Sequence, residues 1–121
     1  MKYFPVALNV DGRDVRVIGG GRLAQQRVRA LLDCGARVTV ISPQVTEVLT
    51  SLADAGTITV HLRDYQPGDL IGSELVMTAS DDPKVNETAW HEAQEEGIQI
   101  NVADDPSKCD FIMPSVLRRG D

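Results

Sequence analysis

The sequence predicts an α/β fold, a doubly wound parallel sheet of the Rossmann type, and three observations support this prediction. A short apolar run, Val15 to Ile18, passes directly into three consecutive glycines and then into a pattern with helical spacing. Further β-rich and helical segments alternate along the chain with short connections, which is typical of a parallel sheet covered by helices on both faces. Hydrophobic content is 42% and charged content 25%, as expected for a globular domain.

Each strand is predicted from an apolar or β-branched run that is bounded by turn residues. The predicted strands are 15–18, 37–41, 58–62, 75–78 and 98–102, with a short sixth strand over 111–113. An extended lead-in precedes them, because apolar residues alternate with mostly polar or small ones at Phe4, Val6, Leu8 and Val10.

Each helix is predicted from apolar residues at helical spacing and from a glycine that ends it. The first helix covers 23–34, the second begins at Pro43 with Ser42 as its N-cap, and the third begins after Asp81-Asp82-Pro83. The glycines that end these helices are Gly35, Gly56 and Gly97.

The glycine run fits the pattern Gly-x-Gly-x-x-Ala on Gly19, Gly21 and Ala24. Gly19 lets the strand turn sharply, Gly21 lets the backbone approach a pyrophosphate, and Ala24 keeps the helix close to the sheet. The free N–H groups at the start of the helix then face the negative charge of the ligand. Because it lies between a strand and a helix, the motif predicts a dinucleotide site rather than a purely structural turn.

In such a sheet the ligand binds beyond the carboxyl ends of the strands, so the candidate site is formed by loops 19–23, 42–44, 79–82 and 103–108. The loop after the second strand lacks the acidic residue that usually binds the ribose of NAD and an arginine for the 2′-phosphate of NADP. Ser42 or Gln44 could bond a ribose hydroxyl there. The residues alone therefore leave the choice between NAD and NADP open.

Charge and composition limit the classes of partner that the chain is expected to bind. The net charge of −6 argues against general nucleic-acid binding. No apolar run reaches the ~18 residues of a membrane span, and the N-terminus has no signal-peptide pattern, so we expect a cytoplasmic protein without a membrane partner. Cys34 and Cys109 provide no metal or disulfide framework. No metal site is expected.

Several other polar residues are assigned structural or solvated roles. His61 lies in a predicted strand, and His91 lies on a helix turn that looks exposed. Glu92, Glu95 and Glu96 are expected to form a solvated helix face.

An ordered set of motifs runs along the chain: FPVALNVDGR, VIGGG, VTVISP, DLIG, LVMTASDDPKVN and NVADDPSKCDFIMPS. Together they resemble the NAD-binding domain of the siroheme synthase family, the precorrin-2 dehydrogenases and sirohydrochlorin ferrochelatases. The resemblance covers essentially the whole chain. It implies NAD-dependent oxidation of precorrin-2 to sirohydrochlorin, followed by insertion of ferrous iron to give siroheme.

The resemblance also implies roles for individual residues. Asp104 matches the aspartate regarded as catalytic for both dehydrogenation and metal insertion. The alternative interpretation is that Asp104-Asp105-Pro106 is only an Asp-rich turn. The cofactor-binding residues implied by the motifs and the loops together are Gly19, Gly20, Gly21, Arg22, Leu23, Ser42, Pro43, Gln44, Ser80 and Asp81. Arg22 departs from the family, which often has an acidic residue at this position.

The family continues beyond Asp121 into a dimerisation region and a helical tail. The resemblance therefore implies that residues 1–121 are a single NAD-binding domain and that the full-length protein is a homodimer. Arg118 and Arg119 are candidates for binding the carboxylates of a tetrapyrrole substrate, although a solvated basic pair fits them equally well. The alternative function is a non-catalytic NAD-binding or sensing module.

Overall fold

The computed structural model describes residues 2–113 and contains a five-stranded sheet in which all neighbouring strands are parallel. The strands are β1 (Asp14–Ile18), β2 (Arg37–Ser42), β3 (Thr59–Leu62), β4 (Leu75–Thr78) and β5 (Gln99–Val102). The helices are α1 (Arg22–Asp33), α2 (Glu47–Asp54) and α3 (Pro83–Glu96), followed by a short 3₁₀ helix (Pro106–Lys108).

The strand order is β3-β2-β1-β4-β5. β2 and β3 are therefore added on one side of β1, and the order then reverses, with β4 and β5 added on its other side. Ile18 at the end of β1 pairs with Ile41 of β2 and with Thr78 of β4, and Thr78 pairs in turn with Val102 of β5. These strands therefore end at the same edge of the sheet. The reversal creates the crevice in which ligands of doubly wound sheets bind, and the predicted fold is confirmed.

The core consists of one apolar layer on each face of the sheet. On one face, Ala24 and Val28 of α1 and Leu49 of α2 pack against alternate residues of the strands. On the other face, Ala89 and Ala93 of α3 pack against the remaining residues of the same strands. β4 is buried on both faces and reads as a nearly continuous apolar run, whereas the partly buried Arg16 interrupts β1. Each fully buried Val or Ile side chain contributes about 1.5–3 kcal/mol through removal from water.

The start of α2 differs from the prediction. The helix begins at Glu47 rather than Pro43, and its N-cap is Thr46, whose hydroxyl accepts the N–H of Leu49 at 3.3 Å. Ser42 is the last residue of β2, because its carbonyl still accepts the N–H of Arg63 beyond β3. The expected Ser42 cap is therefore wrong, since strand pairing holds that residue in an extended conformation.

The predicted sixth strand over 111–113 is also absent from the described part of the chain. Asp110 and Phe111 instead form hydrogen bonds with β5, partly through side chains. The Asp110 carboxylate accepts the N–H of Ile100 at 3.0 Å, and the Asn101 amide donates to the Phe111 carbonyl at 2.9 Å. These contacts cover the edge of β5, the last strand of the sheet, without forming a further strand.

Glu92 is the third correction. Glu95 and Glu96 are exposed as expected, but Glu92 is only 8% exposed. Its carboxylate accepts the N–H groups of Gly68 at 2.9 Å and Leu70 at 3.2 Å. Glu92 therefore fixes the loop between β3 and β4 on α3. Within residues 2–113, no helix has the length and apolar character that crossing a membrane requires.

Candidate functional site

The three glycines after β1 lie in three different surroundings. Gly19 has a φ of +124°, and a Cβ there would lie 2.6 Å from the backbone carbonyl of Ala79, so glycine allows β1 to turn against the loop after β4. A Cβ on Gly20 would overlap the carbonyl oxygen of Gln44. At Gly21 a Cβ would meet no atom of the described residues within 4 Å. Among the three glycines, the third position therefore leaves room for a ligand next to residues 2–113.

The start of α1 is the anion-binding part of this loop. Gly21 is the N-cap of the helix, and no side chain of residues 2–113 caps it, so the first N–H groups of α1 are available. Arg22 is exposed and Leu23 is partly buried. Backbone donors and the positive end of the helix dipole together suit a pyrophosphate. The residues present therefore fit a dinucleotide.

In the loop after β2, Ser42 and Gln44, the two residues expected near the ribose, have different roles. Ser42 is buried, and its hydroxyl donates a hydrogen bond to the Gln44 carbonyl at 2.7 Å. Pro43 and Gln44 are exposed. The Gly20 carbonyl accepts the N–H of Thr46 at 3.0 Å, which joins this loop to the glycine loop. Ser42 thus shapes the loop, and the Gln44 side chain is the polar group open to a ribose.

The loop after β4 is held by a residue that the sequence analysis missed. Asn86 of α3 is buried, and its amide bonds both backbone groups of Ser80. The Ser80 N–H donates to Asn86 Oδ1 at 3.3 Å, and Asn86 Nδ2 donates to the Ser80 carbonyl at 3.0 Å. Asp81 is exposed beside it. The signal was present in the motif LVMTASDDPKVN, whose last residue is this asparagine.

Asp104 lies after β5 and lines a cleft of about 330 Å³. Leu23 and Arg27 of α1 form one side of the cleft, and Ile112 and Met113 also line it. Asp104 is exposed and has a φ of +61°, the one positive φ of a non-glycine residue in the described chain. Non-glycine residues held in this conformation are concentrated at functional sites.

The neighbouring Asp105 is engaged within its own loop. It accepts a hydrogen bond from the Ser107 hydroxyl at 2.6 Å and pairs with the Lys108 ammonium at 3.2 Å. The hydrogen bond from Ser107, and then the one from Lys108, lower the pKa of the Asp105 carboxyl below its ordinary value. Asp104 makes no such contact within residues 2–113, so its carboxylate is the one available for chemistry.

Cys109 also lines the cleft, where it acts through the backbone. Its thiol lies 3.2 Å from the N–H and 3.3 Å from the carbonyl of Val102, and 3.4 Å from the carbonyl of Asp105. Burial raises the pKa of this thiol, which favours the protonated form rather than a metal-binding thiolate. Among the residues described, no group of three or more His, Cys, Asp or Glu side chains is placed to hold a metal ion.

Of the remaining candidates, His61, His91 and Cys34 are exposed. Arg118 and Arg119 lie outside the described residues.

The family model described as "Putative NAD(P)-binding" matches residues 6–115. Siroheme synthase 1 of Aeromonas salmonicida is 41% identical over 119 residues, which is 98% of this chain and 25% of that protein. The siroheme synthase of Nitrosococcus oceani is 40% identical over the same shares of the two proteins. The chain thus spans about a quarter of the length of the curated relatives it matches.

Two solved structures resemble the fold. SirC, a precorrin-2 dehydrogenase, has a TM-score of 0.80 and 27% identity, over 93% of this chain and 55% of that one. A UDP-glucose dehydrogenase from Pyrobaculum islandicum has a TM-score of 0.52 and 20% identity, over 85% and 25%, and shares the fold alone. The glycine loop fits a dinucleotide, and these comparisons support NAD as its cofactor. The chain therefore belongs to the NAD(P)-binding family that contains the N-terminal domain of siroheme synthases.

Proposed function

We propose that the chain is the NAD-binding domain of a precorrin-2 dehydrogenase, which oxidises precorrin-2 to sirohydrochlorin. The observation that carries this proposal is the placement of Asp104, a carboxylate without a partner among residues 2–113, in a cleft that also borders the start of α1. The similarity to siroheme synthases and to the precorrin-2 dehydrogenase SirC supports the choice of substrate.

The reaction removes one hydride and one proton from precorrin-2. NAD, when bound, supplies the hydride acceptor. Asp104 takes the proton, because it is the carboxylate of the cleft without a partner in the described chain, and proton transfer requires a base within hydrogen-bond reach of the substrate. Leu23, Val102 and Met113 give the same cleft an apolar wall suited to the macrocycle.

The nucleotide part of the proposal is tested by titrating NAD and NADP into the protein by calorimetry. Gly21→Asp should abolish binding, because it places both bulk and negative charge where the pyrophosphate would lie. Gly21→Ala is the matched comparison, since it adds a Cβ without charge and should therefore weaken binding less than Gly21→Asp. If the folded protein binds neither nucleotide, the proposed cofactor site is wrong. Normal binding by Gly21→Asp would refute the loop assignment.

The catalytic part is tested with Asp104→Ala in the complete protein. NAD affinity should stay nearly unchanged, whereas precorrin-2 oxidation should fall by ~10²-fold or more, the usual scale for loss of a general base. Asp105→Ala should have a milder effect, because Ser107 and Lys108 hold that carboxylate. If Asp104→Ala oxidises precorrin-2 at the wild-type rate, Asp104 is only a turn residue.

The proposal extends to a second reaction, in which ferrous iron is a substrate and enters sirohydrochlorin as two pyrrole N–H protons leave. The similarity to siroheme synthases supports this step. Asp104 would receive a released proton, so iron insertion under anaerobic conditions should also fall in Asp104→Ala. We further propose a homodimer for the complete protein, which light scattering can test directly.

A further inference from the structure

We infer that Arg27 binds a carboxylate of the tetrapyrrole substrate in the cleft that Asp104 also lines, an inference that rests on the proposed function. Arg27 lies on α1, one helical turn after Leu23, and both residues line the cleft. The cleft thus combines an apolar wall, a carboxylate and a guanidinium. Such a combination suits a ligand with an apolar body and acidic side chains.

Arg27 is partly buried, yet no hydrogen-bond acceptor or carboxylate within residues 2–113 contacts its guanidinium. Three other cations of the described chain are engaged. Arg16 pairs with Asp14, and Arg63 pairs with Asp69. Lys108, next to the cleft, pairs with Asp105 and lies over the ring of Trp90 at 5.6 Å. Arg27 therefore keeps its donors available on the wall of the cleft.

The size of the cleft limits what Arg27 can contact. A volume of about 330 Å³ is at the lower end for ligand pockets, so the cleft accommodates one edge of a macrocycle and its carboxylate side chains. The chain carries a net charge of −6, which opposes an acidic substrate at long range. A guanidinium in the same cleft as Asp104 offsets that repulsion locally, and its planar donors match a carboxylate in two-point contact.

The test compares Arg27→Gln with Arg29→Gln in the complete protein. Both changes remove one positive charge from α1, but Arg29 is exposed and does not line the cleft. In Arg27→Gln, the KM for precorrin-2 should rise about tenfold, which corresponds to about 1.4 kcal/mol, with kcat and the Kd of NAD nearly unchanged. Arg27→Lys should recover part of this loss, because it keeps the charge but not the planar fork. Arg29→Gln should match the wild type.

Binding of the product, sirohydrochlorin, provides a readout that does not depend on turnover. Its Kd, measured by absorbance titration, should rise about tenfold in Arg27→Gln, and added salt should weaken binding less in this variant than in the wild type. Equal KM and Kd values in Arg27→Gln and Arg29→Gln would overturn the inference and leave the proposed function intact. Loss of NAD affinity in Arg27→Gln would also overturn it, because Arg27 would then serve the nucleotide. A wild-type protein that neither binds sirohydrochlorin nor oxidises precorrin-2 would refute the proposed function itself.

Discussion

Tyr65 donates a hydrogen bond to the carboxylate of Glu92, and this contact joins the loop after β3 to the middle of α3. The second carboxylate oxygen of Glu92 accepts the N–H groups of Gly68 and Leu70. One buried carboxylate thus receives three donors. Bonds of this kind satisfy the buried charge, so the loop and the helix depend on each other.

We expect Glu92→Ala to lower the free energy of unfolding by about 2–3 kcal/mol, because it leaves the N–H groups of Gly68 and Leu70 without their acceptor. Glu95→Ala is the matched control on the same helix, since Glu95 is exposed and should change stability by less than about 0.5 kcal/mol. Urea denaturation measures both values. Equal stability of the two variants would show that the Glu92 contacts add nothing.

The Tyr65 contact predicts a loss of stability at high pH. Burial, and then the hydrogen bond to Glu92, raise the pKa of the Tyr65 phenol above its ordinary value of 10.0. Because the pKa is raised in the folded state, the Tyr65 phenol contributes to the free energy of unfolding in full below about pH 10. This contribution is lost as the pH rises further. We therefore expect the unfolding free energy of the wild type to fall more steeply above about pH 10 than that of Tyr65→Phe. Parallel pH profiles of the two proteins would contradict this linkage.

The backbone of Asp104 predicts a conflict between activity and stability. Its φ of +61° is unfavourable for a side chain, although aspartate and asparagine tolerate it better than most residues. Asp104→Gly should therefore raise the free energy of unfolding by up to about 1 kcal/mol while abolishing the proposed proton transfer. Asp104→Asn should keep wild-type stability and lose the same activity. A destabilised Asp104→Gly, measured by thermal and urea unfolding, would show that the side chain is needed for the loop.

The sequence predicts most of the fold because local and global signals agree there. β4 is predicted at its observed bounds. Its residues are buried on both faces of the sheet, so a nearly continuous apolar run marks the whole strand in the sequence. α3 carries its cap and its terminator in the sequence, since Asp82 accepts the N–H of Lys84, Pro83 occupies the first turn, and Gly97 has a φ of +67°. These features depend on neighbours along the chain.

Features that depend on tertiary contacts could not be predicted in the same way. Glu92 resembles its exposed neighbours Glu95 and Glu96, and only the loop that covers it makes it a buried acceptor. Ser42 resembles a helix cap until its pairing with β3 is known. The cleft of Arg27 and Asp104 joins residues far apart in the chain, so spacing alone does not reveal it.

The glycine loop gives a test of packing against function. Gly20→Ala should lower the free energy of unfolding by about 2 kcal/mol or more, because its Cβ would overlap a backbone carbonyl, that of Gln44, which cannot rotate away like a side chain. Gly21→Ala should fold almost as well as the wild type, since its Cβ enters open space. Urea midpoints compare the two variants directly. If Gly20→Ala is as stable as Gly21→Ala, the two loops are not packed together as described.

Thr78, the last residue of β4, predicts a stabilising substitution. Its side chain is 2% exposed, and its hydroxyl has no hydrogen-bond partner within residues 2–113. A buried hydroxyl without a partner costs free energy, and valine has nearly the same shape without the polar atom. Thr78→Val should therefore raise the free energy of unfolding by up to about 1–2 kcal/mol.

The matched control for this substitution is Thr59→Val on β3, where the threonine is exposed and the same exchange tests strand preference alone. The gain in Thr78→Val beyond that in Thr59→Val measures the cost of burying the hydroxyl. A loss of more than about 1 kcal/mol in Thr78→Val would instead mean that a buried water bonds this hydroxyl in solution, because removing the hydroxyl would then leave the water without a partner.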